Sequence, residues 1–259
     1  MAASTFPSSS AARASSRARH PGVLNASVSQ SRDAKTSRGG IQNSELRLHC
    51  LNSDIRRVRR SSASHCMDPL EHFRRLLAAA QSIDRALLPE PTAMTLATVG
   101  GDGQPSARLV LLKAVDDRGF VFYTNLRSRK GRELATNPRA ALAFHWQPLE
   151  VQVRIEGTVE QVDDAEADEY FATRPRGSQL GAWASDQSET LTSAADLDAR
   201  FAEVERRFSG RDVPRPPHWS GYRVIPERIE FWRNRPSRLH ERRLFEREGS
   251  AWRERLLYP

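Results

Sequence analysis

The sequence predicts a mainly β protein of the α+β class, built as an antiparallel barrel with peripheral helices. Three observations predict it. Short strand-like runs follow one another along the chain, the links between them are short and rich in turn residues, and no βαβ alternation is present. Asp68-Pro69 opens a helix, with Asp as N-cap and Pro at the first helical position, and Leu70, Phe73, Leu76 and Leu77 give it an apolar stripe. Ala93–Val99 reads as a strand closed by Gly100-Gly101-Asp102-Gly103, Arg108–Val115 as a second closed by Asp116-Asp117-Arg118-Gly119, and Phe120–Asn125 as a third. Ser128–Thr136 reads as a short helix stopped by Asn137-Pro138. Arg139–Trp146 and Leu149–Val162 are strands around Gln147-Pro148, and Ala165–Thr173 and Ser193–Phe208 are helices. After a stiff linker at Pro214, Pro216 and Pro217, the strands Tyr222–Trp232, His240–Arg247 and Ala251–Leu256 close the chain.

Composition narrows the function. Of 259 residues, 38% are hydrophobic and 28% charged, enough for one sizeable core and a tail. No apolar run is long enough to span a bilayer. The formal charge of +8 is confined to residues 1–66, which hold 11 Lys+Arg against 3 Asp+Glu; the rest of the chain is neutral overall. Its basic clusters are therefore local features, which argues against a nucleic-acid-binding surface. Both cysteines, Cys50 and Cys66, fall in that first stretch, so the core has no disulfide framework and no thiolate metal site, and a reducing, cytoplasmic setting fits. Residues 1–66, rich in Ser, Ala and Arg and without period, read as a disordered extension. It is either an organellar transit peptide or the product of a wrongly chosen start, since Met67 directly precedes the ordered part.

Several residue groups carry candidate chemistry. Arg238, His240 and Arg242 alternate behind the strand Arg228–Trp232, so in an extended chain they share a face, two cations around a titratable ring. Tyr123, Thr124, Ser128, Arg129 and Lys130 run from a strand end into a helix start, where free N–H groups favour an anion; a solvated basic turn is the other reading. Arg108 and Lys113 bracket an apolar strand on opposite faces, or with a bulge between them. Gln152 is a polar amide in an alternating strand, satisfied by a ligand or by solvent. Tyr170, Arg174 and Ser178, four apart across a helix exit at Pro175, suit a second phosphate, though each has an ordinary structural reading too. Trp183 precedes a polar loop with Ser185, Gln187 and Ser188. Trp232 is a core ring or a cofactor wall. No zinc spacing, P-loop or GxGxxG is present.

Taken in order, Asp-Pro-Leu 68–70, Pro-Thr-Ala-Met 91–94, Arg-Leu-Val-Leu-Leu-Lys 108–113, Phe-Tyr-Thr-Asn 122–125, Ser-Arg-Lys 128–130, Arg-Pro-Arg-Gly-Ser-Gln 174–179, Gly-Ala-Trp 181–183, Gln-Ser 187–188, Ile-Glu-Phe-Trp 229–232 and Arg-Leu-His-Glu-Arg 238–242 resemble the pyridoxine/pyridoxamine 5′-phosphate oxidase family. The resemblance runs from Asp68 to Pro259. It implies an FMN-binding split β-barrel acting as a homodimer with active sites at the subunit interface. It implies oxidation of pyridoxamine and pyridoxine 5′-phosphates to pyridoxal 5′-phosphate, with dioxygen reduced to hydrogen peroxide. It assigns FMN contacts to Arg108, Lys113, Tyr123, Thr124, Arg129, Lys130, Gln152, Gln187, Ser188, Trp232 and Arg242. It assigns substrate contacts to Lys113, Tyr170, Arg174, Ser178, Arg238 and His240, with Arg238 and His240 closest to the chemistry. The family's N-terminal Leu-Arg-x-x-Tyr lid has only Leu46-Arg47 as a counterpart, with no Tyr following. Two other readings share these residues: a different split-barrel flavin oxidoreductase, and a non-catalytic carrier of FMN or pyridoxal phosphate.

Overall fold

Helix α1 (Pro69–Gln81) starts where its cap dictates: the Asp68 carboxylate accepts from the Leu70 N–H at 2.9 Å, and Pro69 needs no partner. Its apolar stripe then enters the concave face of a sheet. Phe73 is fully buried, with its ring centroid 4.8 Å from Phe120, 5.0 Å from Phe144 and 5.7 Å from Trp146. The computed structural model describes residues 67–259. The extension with its two origins, Cys50, Cys66 and Leu46-Arg47 all lie outside the described residues.

Nine strands form the sheet: β1 (Ala93–Val99), β2 (Pro105–Leu111), β3 (Ala114–Val115), β4 (Phe120–Asn125), β5 (Arg139–Trp146), β6 (Val151–Gln161), β7 (Trp219–Arg233), β8 (Glu241–Glu248) and β9 (Ala251–Leu257). Every ladder is antiparallel, in the order β2-β1-β5-β6-β7-β4-β3, with β8 on β7 and β9 on β8. Alternate residues face α1: Met94, Leu96, Leu142, Phe144, Trp146, Val151, Val153 and Ile155 are all buried. Helices α2 (Arg129–Thr136), α3 (Asp164–Thr173), α4 (Arg176–Ala184) and α5 (Ala194–Arg207) lie in the connections. Phe171, Leu180, Phe208, Val213 and Trp219 form a second apolar cluster between helices α3 and α4, the segment after α5 and the start of β7.

β7 spends one edge wholly on β6 and divides the other. Trp219–Val224 pair with β4, and Arg228–Arg233 pair with β8. The change of partner coincides with a bulge, where Glu156 faces Arg228 but Gly157 faces Pro226. Pro226 has no N–H to offer a ladder. A Cβ on Gly157 would stand 1.9 Å from the Ile225 carbonyl oxygen, so the two backbones meet only because position 157 is glycine.

The barrel is split, as the resemblance implies, and within it the sequence expectations need five corrections. Its end strands β2 and β3 are joined through Leu112-Lys113 rather than by a ladder. The second strand therefore starts at Pro105 and breaks at that corner, where the Leu112 N–H turns to Thr92 and the Lys113 N–H to Val121. Strand β6 starts at Val151, because Gln147–Leu149 make a 3₁₀ turn. Pro175 does not open a loop; it sits at the N-cap of α4, which contains Ser178 and Trp183. Strand β7 begins three residues earlier than Tyr222. The shared face of Arg238, His240 and Arg242 is broken, because Pro236–Arg238 form a 3₁₀ turn with Ser237 at φ 57° and Arg238 at φ 59°.

Gly157→Ala should destabilise the protein by about 1–3 kcal/mol, read from the denaturation midpoint. Gly177→Ala, where a Cβ meets nothing within 4 Å, serves as the control and should be neutral or slightly stabilising.

Candidate functional site

The junction of β4 and α2 builds a pocket of donors. Ser128, fully buried, caps α2 by accepting from the Gly131 N–H at 3.3 Å. The next two residues are thereby placed on the first turn. The Lys130 ammonium points inward and donates to Thr124 Oγ1 (3.0 Å), Ser128 Oγ (3.3 Å) and Gln187 Oε1 (2.8 Å). All three acceptors are neutral. Burial, then the nearby Arg108 charge, pull the Lys130 pKa down to about 8 despite Glu133. A buried ammonium with no carboxylate partner suits an incoming oxyanion.

Beside it, Glu133 gathers the other cations. Its carboxylate accepts from Arg129 Nε at 2.8 Å, Arg108 Nη2 at 3.0 Å, Thr98 Oγ1 at 2.5 Å and Ser106 Oγ at 2.7 Å. Burial pushes the Glu133 pKa up, but these donors outweigh it and hold the group at about 2. With Arg108, Arg129 and protonated Lys130 against one carboxylate, the pocket carries a net charge of about +2, matched to a phosphate dianion.

A second candidate site lies against the helical cluster. The rings of Tyr170, Tyr123 and Trp219 stack as a ladder, 4.0 Å and 5.3 Å between successive centroids. The Arg174 guanidinium carbon sits 4.7 Å from the Trp219 centroid and 5.5 Å from Phe171. Its Nη1 is buried and has no hydrogen-bond partner, and burial lowers the Arg174 pKa. An orphaned guanidinium donor of this kind also fits an oxyanion. Ser178 is exposed on the first turn of α4.

A third group lines a cleft of about 540 Å³ on the outer face of the sheet, with Thr95, Leu109, His145, Gln152 and Trp232 in its wall. Gln152 and Trp232 are register partners, and so are Trp232 and Arg242. The His240 ring packs 4.5 Å from Trp232, and its Nδ1 accepts from the Arg235 N–H at 3.3 Å. Arg242 is held by Glu230 at 2.7 Å. Arg238 and Lys113 are exposed, and neither side chain makes a hydrogen bond or ion pair among the described residues. Ser188 is exposed beside Gln187, with φ 77°.

The structure thus joins Arg108, Thr124, Arg129, Lys130 and Gln187 in one pocket. Tyr123, Tyr170 and Arg174 meet at a second place, and Gln152, Trp232, His240 and Arg242 at a third. Within the described chain it does not bring Arg238 and His240 to Arg174. Sequence reasoning missed Glu133, whose signal was the i,i+4 spacing from Arg129. It also missed Thr98 and Ser106, and Trp219, which fell outside the predicted strand.

Two family models match the chain: pyridoxamine 5′-phosphate oxidase over residues 84–208, and pyridoxine 5′-phosphate oxidase C-terminal dimerisation region over residues 219–259. A pyridoxine/pyridoxamine 5′-phosphate oxidase of Thermosynechococcus vestitus is 59% identical over 213 residues, 82% of this chain and 99% of that protein. One of Rubrobacter xylanophilus is 60% identical over 192 residues, 74% of this chain and 87% of the relative. Among solved structures, PhzG from Burkholderia lata in complex with tetrahydrophenazine-1-carboxylic acid is 33% identical, with a TM-score of 0.69, over 76% of this chain and 95% of that one.

Lys130 makes the first pocket pH-dependent. Only the ammonium attracts a phosphate, and a bound dianion raises its pKa, so binding takes up a proton once the free site is deprotonated. Affinity for FMN should hold up to about pH 8 and then fall by up to about tenfold per pH unit. Titration of flavin fluorescence between neutral and alkaline pH measures it, and Lys130→Met should flatten the profile.

Proposed function

This chain belongs to the pyridoxine/pyridoxamine 5′-phosphate oxidase family, and on that premise we propose that residues 67–259 form an FMN-dependent oxidase domain converting pyridoxamine and pyridoxine 5′-phosphates to pyridoxal 5′-phosphate. Residues 1–66 precede it as an extension. The observation that carries the reading is a pair of cations left without a carboxylate, the buried Lys130 and the half-buried Arg174 with its buried Nη1. Cofactor and substrate are both phosphate monoesters, and the reaction needs a separate place for each.

Arg108, Thr124, Arg129, Lys130, Gln187 and Ser188 hold the FMN phosphate and its chain. Gln152, Trp232 and Arg242, across the outer face of β6, β7 and β8 at the far end of β7, meet the ring system from the partner copy, with Lys113 and Tyr123 completing the contacts. Bound FMN supplies a two-electron acceptor that dioxygen reoxidises to give hydrogen peroxide.

The chain's own residues bind and align. Arg174, Tyr170, Ser178 and Lys113 clamp the substrate phosphate, which fixes the pyridine ring and turns an encounter into an oriented complex. His240 has its Nδ1 engaged as an acceptor, so its proton sits on Nε2, available to a substrate oxygen. Arg238 extends from two consecutive left-handed residues, strain that holds a cation clear of the sheet. The protein acts as a homodimer whose partner copy brings Arg238 and His240 to the clamp. The exposed Leu109 and Leu111 on β2 and Leu256 on β9 offer apolar surface for that contact. Among the described residues no helix is long and apolar enough to cross a membrane. The setting proposed is the cytoplasm, with neither nucleic acid nor membrane as partner.

Purified protein should absorb as a flavoprotein and release peroxide on addition of pyridoxamine 5′-phosphate. A yellow protein that releases none would be a carrier or a different flavin oxidoreductase. Arg238→Ala should cut turnover by about 10- to 100-fold while FMN stays bound through gel filtration. Arg129→Ala with Lys130→Ala should instead lose FMN in that step.

A further inference from the structure

We propose that Trp219 is a positioning residue for the substrate phosphate, its indole face holding the Arg174 guanidinium ready without consuming any of its donors. The proposal rests on the reading of Arg174 as the phosphate clamp.

A buried arginine is ordinarily fixed by a carboxylate. Arg223 shows that solution, donating to Asp116 and to Glu166. Arg174 is fixed differently. Its guanidinium donates no hydrogen bond among the described residues, and its Nη1 is both buried and unpartnered. The indole of Trp219 lies 4.7 Å away. An aromatic face attracts a cation through its quadrupole and leaves the N–H groups free, whereas a carboxylate would occupy them and repel a phosphate. Partial burial lowers the Arg174 pKa, in keeping with a cation half withdrawn from water.

Trp219 is itself firmly placed. It is 6% exposed, meets the edge of Phe171 at 5.0 Å, and its carbonyl accepts from Arg215 at 2.8 Å. Its ring lies within 7° of parallel to Tyr123, which lies within 15° of Tyr170. Tyr123 in turn rests on Gly221, where a Cβ would come within 2.7 Å of the ring. One ladder rooted in β4 and β7 therefore sets both Arg174 and Tyr170.

The test uses FMN-loaded protein. Calorimetry gives the dissociation constant of pyridoxal 5′-phosphate, and steady-state kinetics give KM and kcat for pyridoxamine 5′-phosphate. Trp219→Leu should raise both the dissociation constant and KM about tenfold, with kcat within twofold. Trp219→Phe keeps a weaker aromatic face and should raise them about threefold. Combined with Arg174→Ala, either substitution should add less than twofold. Pyridoxal lacking the phosphate should show no such loss. Wild-type affinity in Trp219→Phe and Trp219→Leu, beside a weakened Arg174→Ala, would overturn the role of Trp219. An equal loss for pyridoxal itself would do the same, since it marks general damage to the site. Wild-type affinity in Arg174→Ala would instead remove the clamp, and the proposal with it.

Discussion

One strand with two edges and three partners sets the geometry of this protein. β7 must pair with β6 over Tyr222–Arg233 and still serve β4 at its start and β8 at its end. The exchange is possible only where the ladder is interrupted, at the Gly157–Pro226 bulge. The consequence is functional. The first residue of β7, Trp219, sits under Arg174, the proposed phosphate clamp, and Trp232 near its last lines the outer cleft with Gln152. A strand that ended at the bulge would carry one of these and not the other.

Buried cations sort the structure into framework and site. The Arg223 side chain is 3% exposed and ion-paired with Asp116, Glu160 and Glu166, so the turn after β3, strand β6 and helix α3 are tied to β7 by a carboxylate-rich hub. Arg223 Nε makes no hydrogen bond, but three carboxylates around the guanidinium would repel an incoming anion. Lys130 is also withdrawn from water and Arg174 half so, yet one faces only neutral acceptors and the other has a buried, unpartnered donor. Leaving a charge withdrawn from water uncompensated is costly to folding, and under the proposed function a phosphate monoester would meet each of these two cations. Glu133 refines the first of these. By drawing Arg108 and Arg129 to one carboxylate it keeps two like charges close without mutual repulsion dispersing them.

Much of this was legible in the residues. The cap at Asp68 and the limits of β1, β4 and β5 follow from local signals that act within a few residues. What was not legible depended on partners distant in sequence. The Leu112-Lys113 corner exists because β2 belongs to β1 while β3 belongs to β4, which no local pattern encodes. Helix α4 was hidden because Pro175 reads equally as a stop and as a start. Arg238 was expected on a regular strand, and only the left-handed turn at Ser237 and Arg238 takes it off. The types of the site residues could be read at their positions; their grouping into three separate places, and the supporting roles of Glu133 and Trp219, came only with the fold.

That grouping bears on assembly. Trp219 and Trp232 are separated by 13 steps along β7, about 40 Å of extended strand. The clamp belongs to the first end, and His240 with its neighbour Arg238 belongs to the second. A single small substrate cannot engage both ends of one chain. A twofold partner removes the difficulty, because an isologous contact that sets one copy's second end against the other's first end does so twice and completes two sites at once. The solvent-facing leucines of β2 and β9 and the C-terminal dimerisation region then have a chemical reason to meet. On this view the dimer is a condition of catalysis, since each half holds the phosphate grip for one vitamer and the arginine–histidine pair for the other.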